Sequence, residues 1–147
     1  MSFQFQFERI LTMKEKETES ALNEMNMFKR MKETAENQLL ELVEKKDSYM
    51  NDYQNMMRNS IRVTEIQERE QYLLFLNKQI EKGRKKVLEI TKEFNVKNRM
   101  LVAKNQEEKV WSTWRERSLE EYTEKLNKEE QNSLDEMAVI RYFRNKN

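Results

Sequence analysis

Between Ile66 and Leu101 an apolar residue returns at every seventh position, at Ile66, Leu73, Ile80, Val87, Phe94 and Leu101, and Leu76 and Ile90 lie three residues after Leu73 and Val87. Seven of the nine positions on this file from Ile66 to Phe94 are apolar, in a chain that is only 37% hydrophobic. Alternating spacings of three and four are those of a coiled-coil seam. A helix carrying such a stripe needs a second helix to cover it. The interruptions are Arg69 and Gly83.

A matched series precedes it. Phe7, Ala21, Phe28, Ala35, Leu42, Tyr49 and Met56 recur every seven residues, broken only at Lys14. Interleaved are Leu11, Met25, Leu39 and Tyr53, alternating with Thr18, Lys32 and Lys46. Leu22, Met31, Val43, Met50 and Met57 flank the stripe and broaden it. Phe7 to Met57 would form a rod of roughly 75 Å at the rise of an α-helix. The lysines on the seam set register and carry their charges to water along apolar stems.

Composition supports helices over any alternative. The 147 residues include no proline and one glycine, too few turn residues for a sheet or a multi-layer globule. Neither cysteine nor histidine is present, which removes disulfides, thiol chemistry, the usual zinc ligands and the commonest general base. Lys plus Arg (28) nearly balances Asp plus Glu (27), so charge favours neither a nucleic acid nor a membrane surface as partner. No window approaches the roughly 18 apolar residues of a membrane span. The start has neither a basic region nor an apolar run of the secretory kind, so an unprocessed chain is expected. A two-helix rod offers no enclosing pocket for a pair of catalytic carboxylates, which argues against an enzyme and against a cofactor.

The phase between the two series is lost across Arg58 to Thr64, which places the turn. Thr64 followed by Gln67 fits a capping box and starts the second helix near Glu65. A short connection makes the helices antiparallel neighbours. The expectation is one coiled-coil domain over residues 1–147, with helices over about 7–57 and 65–141 and a turn over about 58–64. Folding about residues 61 and 62 puts Gly83 opposite Leu39 and Leu40, where a missing side chain admits close approach.

The same count sets Phe7 opposite about residue 116, so Arg117 to roughly Arg141, on the order of 35 Å of helix, projects past the first helix. Leu119, Tyr122, Leu126, Leu134, Met137 and Ile140 then have no cover within the chain. An uncovered apolar stripe marks an interaction surface. Trp111 and Leu119 are eight residues apart rather than seven, as in a stutter, and Trp111 and Trp114 at that slip read either as core or as docking anchors. Glu121 with Lys125 and Glu124 with Lys128 have the spacing of ion pairs on a solvated face. Phe3, Phe5 and Phe7 form an extended lead-in to the first helix.

Several segments, in this order, resemble the flagellar export protein FliJ family: "FQFERILTMKEKE", "QLLELVEKKDSYMNDYQ", "EREQYLLFLNKQIEKGRKKV", "VWSTWRERSLEEYTEKL" and "SLDEMA". The resemblance covers most of the chain. It implies an all-α fold, a long antiparallel two-helix coiled coil like the gamma stalk of rotary ATPases. It implies a non-enzymatic component of the flagellar type III export apparatus, cytoplasmic and at the inner face of the inner membrane, without direct insertion. The implied partners are the hexameric export ATPase FliI, the export gate protein FlhA and the flagellar export chaperones.

On that resemblance the ATPase-facing residues are Phe5, Phe7, Leu119, Tyr122, Leu126, Leu134 and Met137. The gate-facing patch falls on Gln38, Leu42, Tyr49, Tyr72 and Leu76, of which Leu42, Tyr49 and Leu76 also lie on the seams. Lys45, Gln79 and Gly83 stand where the family pattern has apolar, aromatic or imidazole side chains. A reading from another class is a generic coiled-coil scaffold or holdase that homodimerises through the bare stripe.

Overall fold

The structure is a computed structural model and describes residues 2–146. It is all-α: α1 spans Glu8–Met57 (50 residues) and α2 spans Val63–Lys146 (84 residues), and the two pack against each other. No strand occurs among the described residues.

The connection makes its turn with the Asn59 amide donating to the Met56 carbonyl at 3.0 Å. The Arg62 carbonyl then accepts from the amides of Glu65 and Ile66, both at 3.1 Å, which opens α2. Arg62 therefore holds the cap position and the expected capping box does not form. Thr64 already lies inside the first turn, where its backbone is helical. At its other end α2 continues past Arg141 to Lys146, because neither glycine nor proline interrupts it there.

The chain divides into two compact units. One is built from residues 20–101 and includes the connection; the other combines the chain up to Glu19 with the chain from Val102 onward. In the first unit the buried or half-buried positions of α1 are those of the sequence pattern, Ala21 through Tyr53, with Asn26 beside them. On α2 a file at spacings of three and four runs from Ile66 to Leu101, with Arg69, Gly83 and Lys97 included, and Tyr72, Gln79 and Thr91 are half-buried beside it. Ala35, Leu76, Ile80, Ile90 and Leu101 are the buried residues of this seam. Leu76 is the most enclosed at 1% exposure, and burial of such a side chain contributes about 2 kcal/mol.

A Cβ added to Gly83 would meet Leu39 Cδ1 at 3.2 Å and Leu42 Cδ1 at 4.0 Å. The expected neighbour Leu40 instead faces solvent, since one residue further along a helix is about 100° round it. The polar seam residues keep their stems on apolar surface. Lys32 Nζ sits 5.2 Å from the Phe94 ring centre, and Lys97 reaches Glu24 at 3.0 Å while lying over Phe28 at 5.8 Å.

The second unit is held differently. Its interhelical ion pairs are Glu8 with Arg115 at 2.9 Å, Lys14 with Glu107 at 3.1 Å and Lys104 with Glu17 at 3.3 Å, so the two segments run antiparallel. The Thr18 hydroxyl shares its proton between the Lys14 carbonyl at 3.0 Å and the Lys104 carbonyl at 3.3 Å on the opposite helix. Leu11 and Phe5 are the buried apolar residues of α1 and its lead-in.

Candidate docking surfaces

The lead-in to α1 is extended and then turns, with the Glu8 amide donating to the Phe5 carbonyl at 3.2 Å and the Leu11 amide to the Phe7 carbonyl at 3.0 Å. This places three phenylalanines against α2. Phe7 packs on both Trp111 and Trp114 at ring separations of 5.6 and 5.0 Å, the two indoles themselves stacked at 5.5 Å, Phe5 meets Phe7 at 5.9 Å, and Phe3 meets Tyr122 at 5.5 Å. The Arg115 guanidinium covers Phe3 at 5.8 Å while its Nε donates to Glu8. The cluster closes the end of α1 with aromatic contacts worth about 1 kcal/mol each beyond their buried area.

Beyond Tyr122 every described residue of α2 is exposed. Residues 123–146 amount to about 36 Å of helix that α1 does not reach. The expected stutter at Trp111 is absent from the burial pattern. Lys104, Glu108, Trp111, Arg115, Ser118 and Tyr122 are all half-buried and keep strict spacings of four and three. Extended further, that seam would fall on Lys125, Glu129, Asn132 and Glu136, all polar. Leu119, Leu126, Met137 and Ile140 stand one residue on from the seam, about 100° round the helix. The apolar stripe thus leaves the α1-facing side at the level of the aromatic cluster. The eight-residue interval from Trp111 to Leu119 compares residues on two different faces.

Of the residues assigned to this end from sequence, Phe5 is buried at 8% exposure, Phe7 and Tyr122 are half-buried, and Leu119, Leu126, Leu134 and Met137 are exposed. Trp111 belongs to the seam, whereas Trp114 is 47% exposed and borders an open apolar hollow with Val110, Thr113 and Arg117. Val139, Tyr142 and Phe143 are exposed at the far end and were not among the assigned residues. The signal for them was the lack of any helix stop after Arg141. The i to i+4 pairs expected at Glu121–Lys125 and Glu124–Lys128 are not among the ion pairs of the described residues, as is common for fully hydrated side chains.

The residues assigned to the gate patch fall in the other unit. Gln38 is exposed, Leu42, Tyr49 and Tyr72 are half-buried, and Leu76 is buried between the helices, so Leu76 presents no surface of its own. Tyr49 and Tyr72 meet across the helix pair at 4.6 Å. Arg69 lies over Tyr49 at 5.2 Å and Lys45 over Tyr72 at 6.0 Å. An open hollow between the helices is lined by Tyr49, Met56, Glu65, Glu68, Arg69 and Tyr72. Phe75, stacked on Tyr72 at 6.2 Å, and Leu74 are exposed beside it and add apolar surface that the seam pattern hides.

One ionic cluster has shifted titration. The hydrogen bond from Lys14, then the nearby charges of Lys104 and Lys14, hold the Glu107 carboxyl below its ordinary value. The reciprocal hydrogen bond to Glu107 raises Lys14. Among the described residues no group of His, Cys, Asp and Glu could hold a metal ion, and no helix is long and apolar enough to cross a membrane.

Two long helices packed on each other, with an aromatic cluster where α1 begins and uncovered apolar residues on α2 beyond it, define a helical coiled-coil protein. Comparison with known proteins makes this specific. The family model for the Flagellar FliJ protein matches residues 3–147. The Flagellar FliJ protein of Bacillus subtilis (strain 168) is 23% identical over 143 residues, covering 97% of each chain. No solved structure gives a significant match. The chain belongs to the flagellar FliJ family and is a component of the flagellar export apparatus.

Proposed function

We propose that this chain is the stalk of the export ATPase ring and works without a catalytic centre of its own. Its terminal unit enters the ring of FliI, its other unit engages the gate protein FlhA, and it takes part in recycling export chaperones at the cytoplasmic face of the inner membrane. The observation that carries this reading is the bare helix beyond Tyr122, where Leu126, Leu134 and Met137 are exposed and no position is covered, whereas up to Tyr122 one side of α2 is covered by α1. A single asymmetric stalk makes the subunits of a ring inequivalent, so ring and stalk bias each other's states through a reciprocal coupling free energy. Phe5, Phe7 and Tyr122 brace the base of that helix, and Leu119 lies exposed beside it on the ring-facing stripe.

For the gate contact the accessible members are Gln38, Tyr49 and Tyr72, with Leu42 beside them and Leu76 supporting them from within the seam. Leu126→Asp combined with Met137→Asp is expected to leave helicity by circular dichroism unchanged and to abolish stimulation of the FliI ATPase. Undiminished stimulation would remove the terminal helix from the ring contact. Tyr72→Ala is expected to weaken binding to FlhA while ATPase binding is retained, and it avoids the core loss that Leu76→Ala would bring.

A further inference from the structure

Trp114 is held on one side and bare on the other. Its indole stacks on Trp111 at 5.5 Å and packs on Phe7 at 5.0 Å, yet the residue is 47% exposed. An aromatic ring fixed by its own chain and left open to water loses little freedom when a partner covers it. The hollow that it borders is lined by Gln106, Lys109, Val110, Thr113, Trp114 and Arg117, all on α2. At about 100° per residue, Lys109, Val110, Thr113 and Arg117 stand on the side of the helix turned from the seam residues Trp111, Arg115 and Ser118. Val110 is 64% exposed, so α1 leaves this side open.

Charge selects what can cover it. The lining carries two cations and no acid. Neither Lys109 nor Arg117 has an ion pair or a side-chain hydrogen bond among the described residues. The positive stretch is short, since eight residues from Lys109 to Arg117 span about 12 Å and the acids Glu116, Glu120, Glu121 and Glu124 crowd its far end. A continuous polyanion such as nucleic acid would run on into those carboxylates. A protein segment can instead place one carboxylate at each end and an apolar side chain between them. No strand occurs among the described residues to accept an added strand, so the segment packs through its side chains, as helices do on helices.

We propose that the hollow beside Trp114 docks an acidic amphipathic helix of another protein, a contact separate from the bare helix beyond Tyr122. Two acidic residues about seven positions apart on that helix pair with Lys109 and Arg117, because such a spacing matches the reach between the two cations. An apolar residue midway between them falls on the same face and rests on Val110 and the bare side of Trp114.

The probe is a labelled helical peptide of about 18 residues, with leucines at spacings of three and four and glutamates flanking them. Its control is the same peptide with lysine in place of glutamate. Fluorescence anisotropy with the full chain should show the glutamate peptide binding about tenfold more tightly than the lysine one. Equal binding of the two, or binding of neither, would overturn the proposal. Lys109→Glu with Arg117→Glu should invert the preference, and a preference of unchanged sign would take the contact away from this hollow. Trp114→Ala should weaken the glutamate peptide about tenfold. Val110→Ser, which leaves the aromatic cluster in place, should weaken it a few-fold, and full affinity in both variants would equally refute the site. Displacement of the peptide by single-stranded oligothymidine would assign the hollow to nucleic acid instead. Leu126→Asp with Met137→Asp should leave peptide binding unchanged, whatever it does to the ATPase; loss of the peptide there would place it on the bare helix and end this assignment.

Discussion

The two parts of α2, before and after Tyr122, are made of similar residues and do different things. Up to Tyr122 its inward positions keep the three-and-four spacing even where the side chains are Lys97, Lys104, Glu108, Arg115 and Ser118. Beyond Tyr122 the helix holds Leu126, Leu134, Met137, Val139 and Ile140, yet none is covered. Position relative to α1, rather than hydrophobicity, decides which residues form the core. Where α1 is present, charged seam residues are tolerated because their stems pack and their ends reach partners such as Glu24 and Glu17. Where α1 is absent, leucine and isoleucine remain in water and contribute nothing to folding until a partner arrives.

The sharpest way to break this comparison is to truncate one leucine on each side of the boundary. Leu76→Ala should cost about 3 kcal/mol, because a side chain at 1% exposure leaves a cavity between the helices. Leu134→Ala, at 55% exposure, should change stability by no more than about 0.5 kcal/mol. Both are read from urea unfolding followed by circular dichroism. Equal losses would mean that the end of α2 is covered after all.

The boundary itself rests on the aromatic cluster. Phe7→Ala removes the ring packed on both Trp111 and Trp114 and should cost roughly 2 kcal/mol. Tryptophan fluorescence should shift to the red as both indoles gain water. An unchanged emission maximum would show that Phe7 is not what screens them.

Much of this arrangement is readable in the sequence, and the failures have physical causes. The two seven-residue series give both helices, since a period sustained over many turns leaves few alternatives, and the short connection gives the antiparallel pairing. The neighbour of Gly83 is right for Leu39 and wrong for Leu40, an error of one residue in register. The stutter fails because the apolar file through Trp111 leaves the true seam, which becomes polar at Arg115 and Ser118. The Thr64 side chain mimics a helix start, although the backbone carbonyl of Arg62 opens α2. Leu76, assigned to the gate patch by resemblance, lies in the core because the same heptad places it there.

A smaller effect separates burial from hydrogen bonding within the covered part. The Tyr53 hydroxyl oxygen is buried and makes no hydrogen bond to the chain. Leaving such a group unsatisfied costs more than replacing it with an apolar one. Tyr53→Phe should therefore stabilise by about 1 kcal/mol, seen as a higher urea midpoint with unchanged slope. A clear loss would mean that the hydroxyl has a partner in solution.

The smallest expected effect concerns the ionic cluster of Lys14, Glu17, Lys104 and Glu107, which takes the place of apolar seam contacts in the terminal unit. Glu107 is held below its ordinary value chiefly by the hydrogen bond from Lys14, so its contribution is present above the usual carboxylate range and is lost as pH falls through the lowered value. Lys14 is raised chiefly by the same hydrogen bond, so its contribution is complete below the ordinary lysine value and is lost as pH rises through the raised one. The cluster is thus at full strength across neutral pH and fails at both extremes. Both side chains are solvated, so the contribution is small and screened by salt. Glu107→Gln should lower the urea midpoint slightly at neutral pH, and the difference should vanish in acid or in high salt. A difference that persists in acid would show that packing of the Glu107 stem, rather than its charge, is what the terminal unit uses.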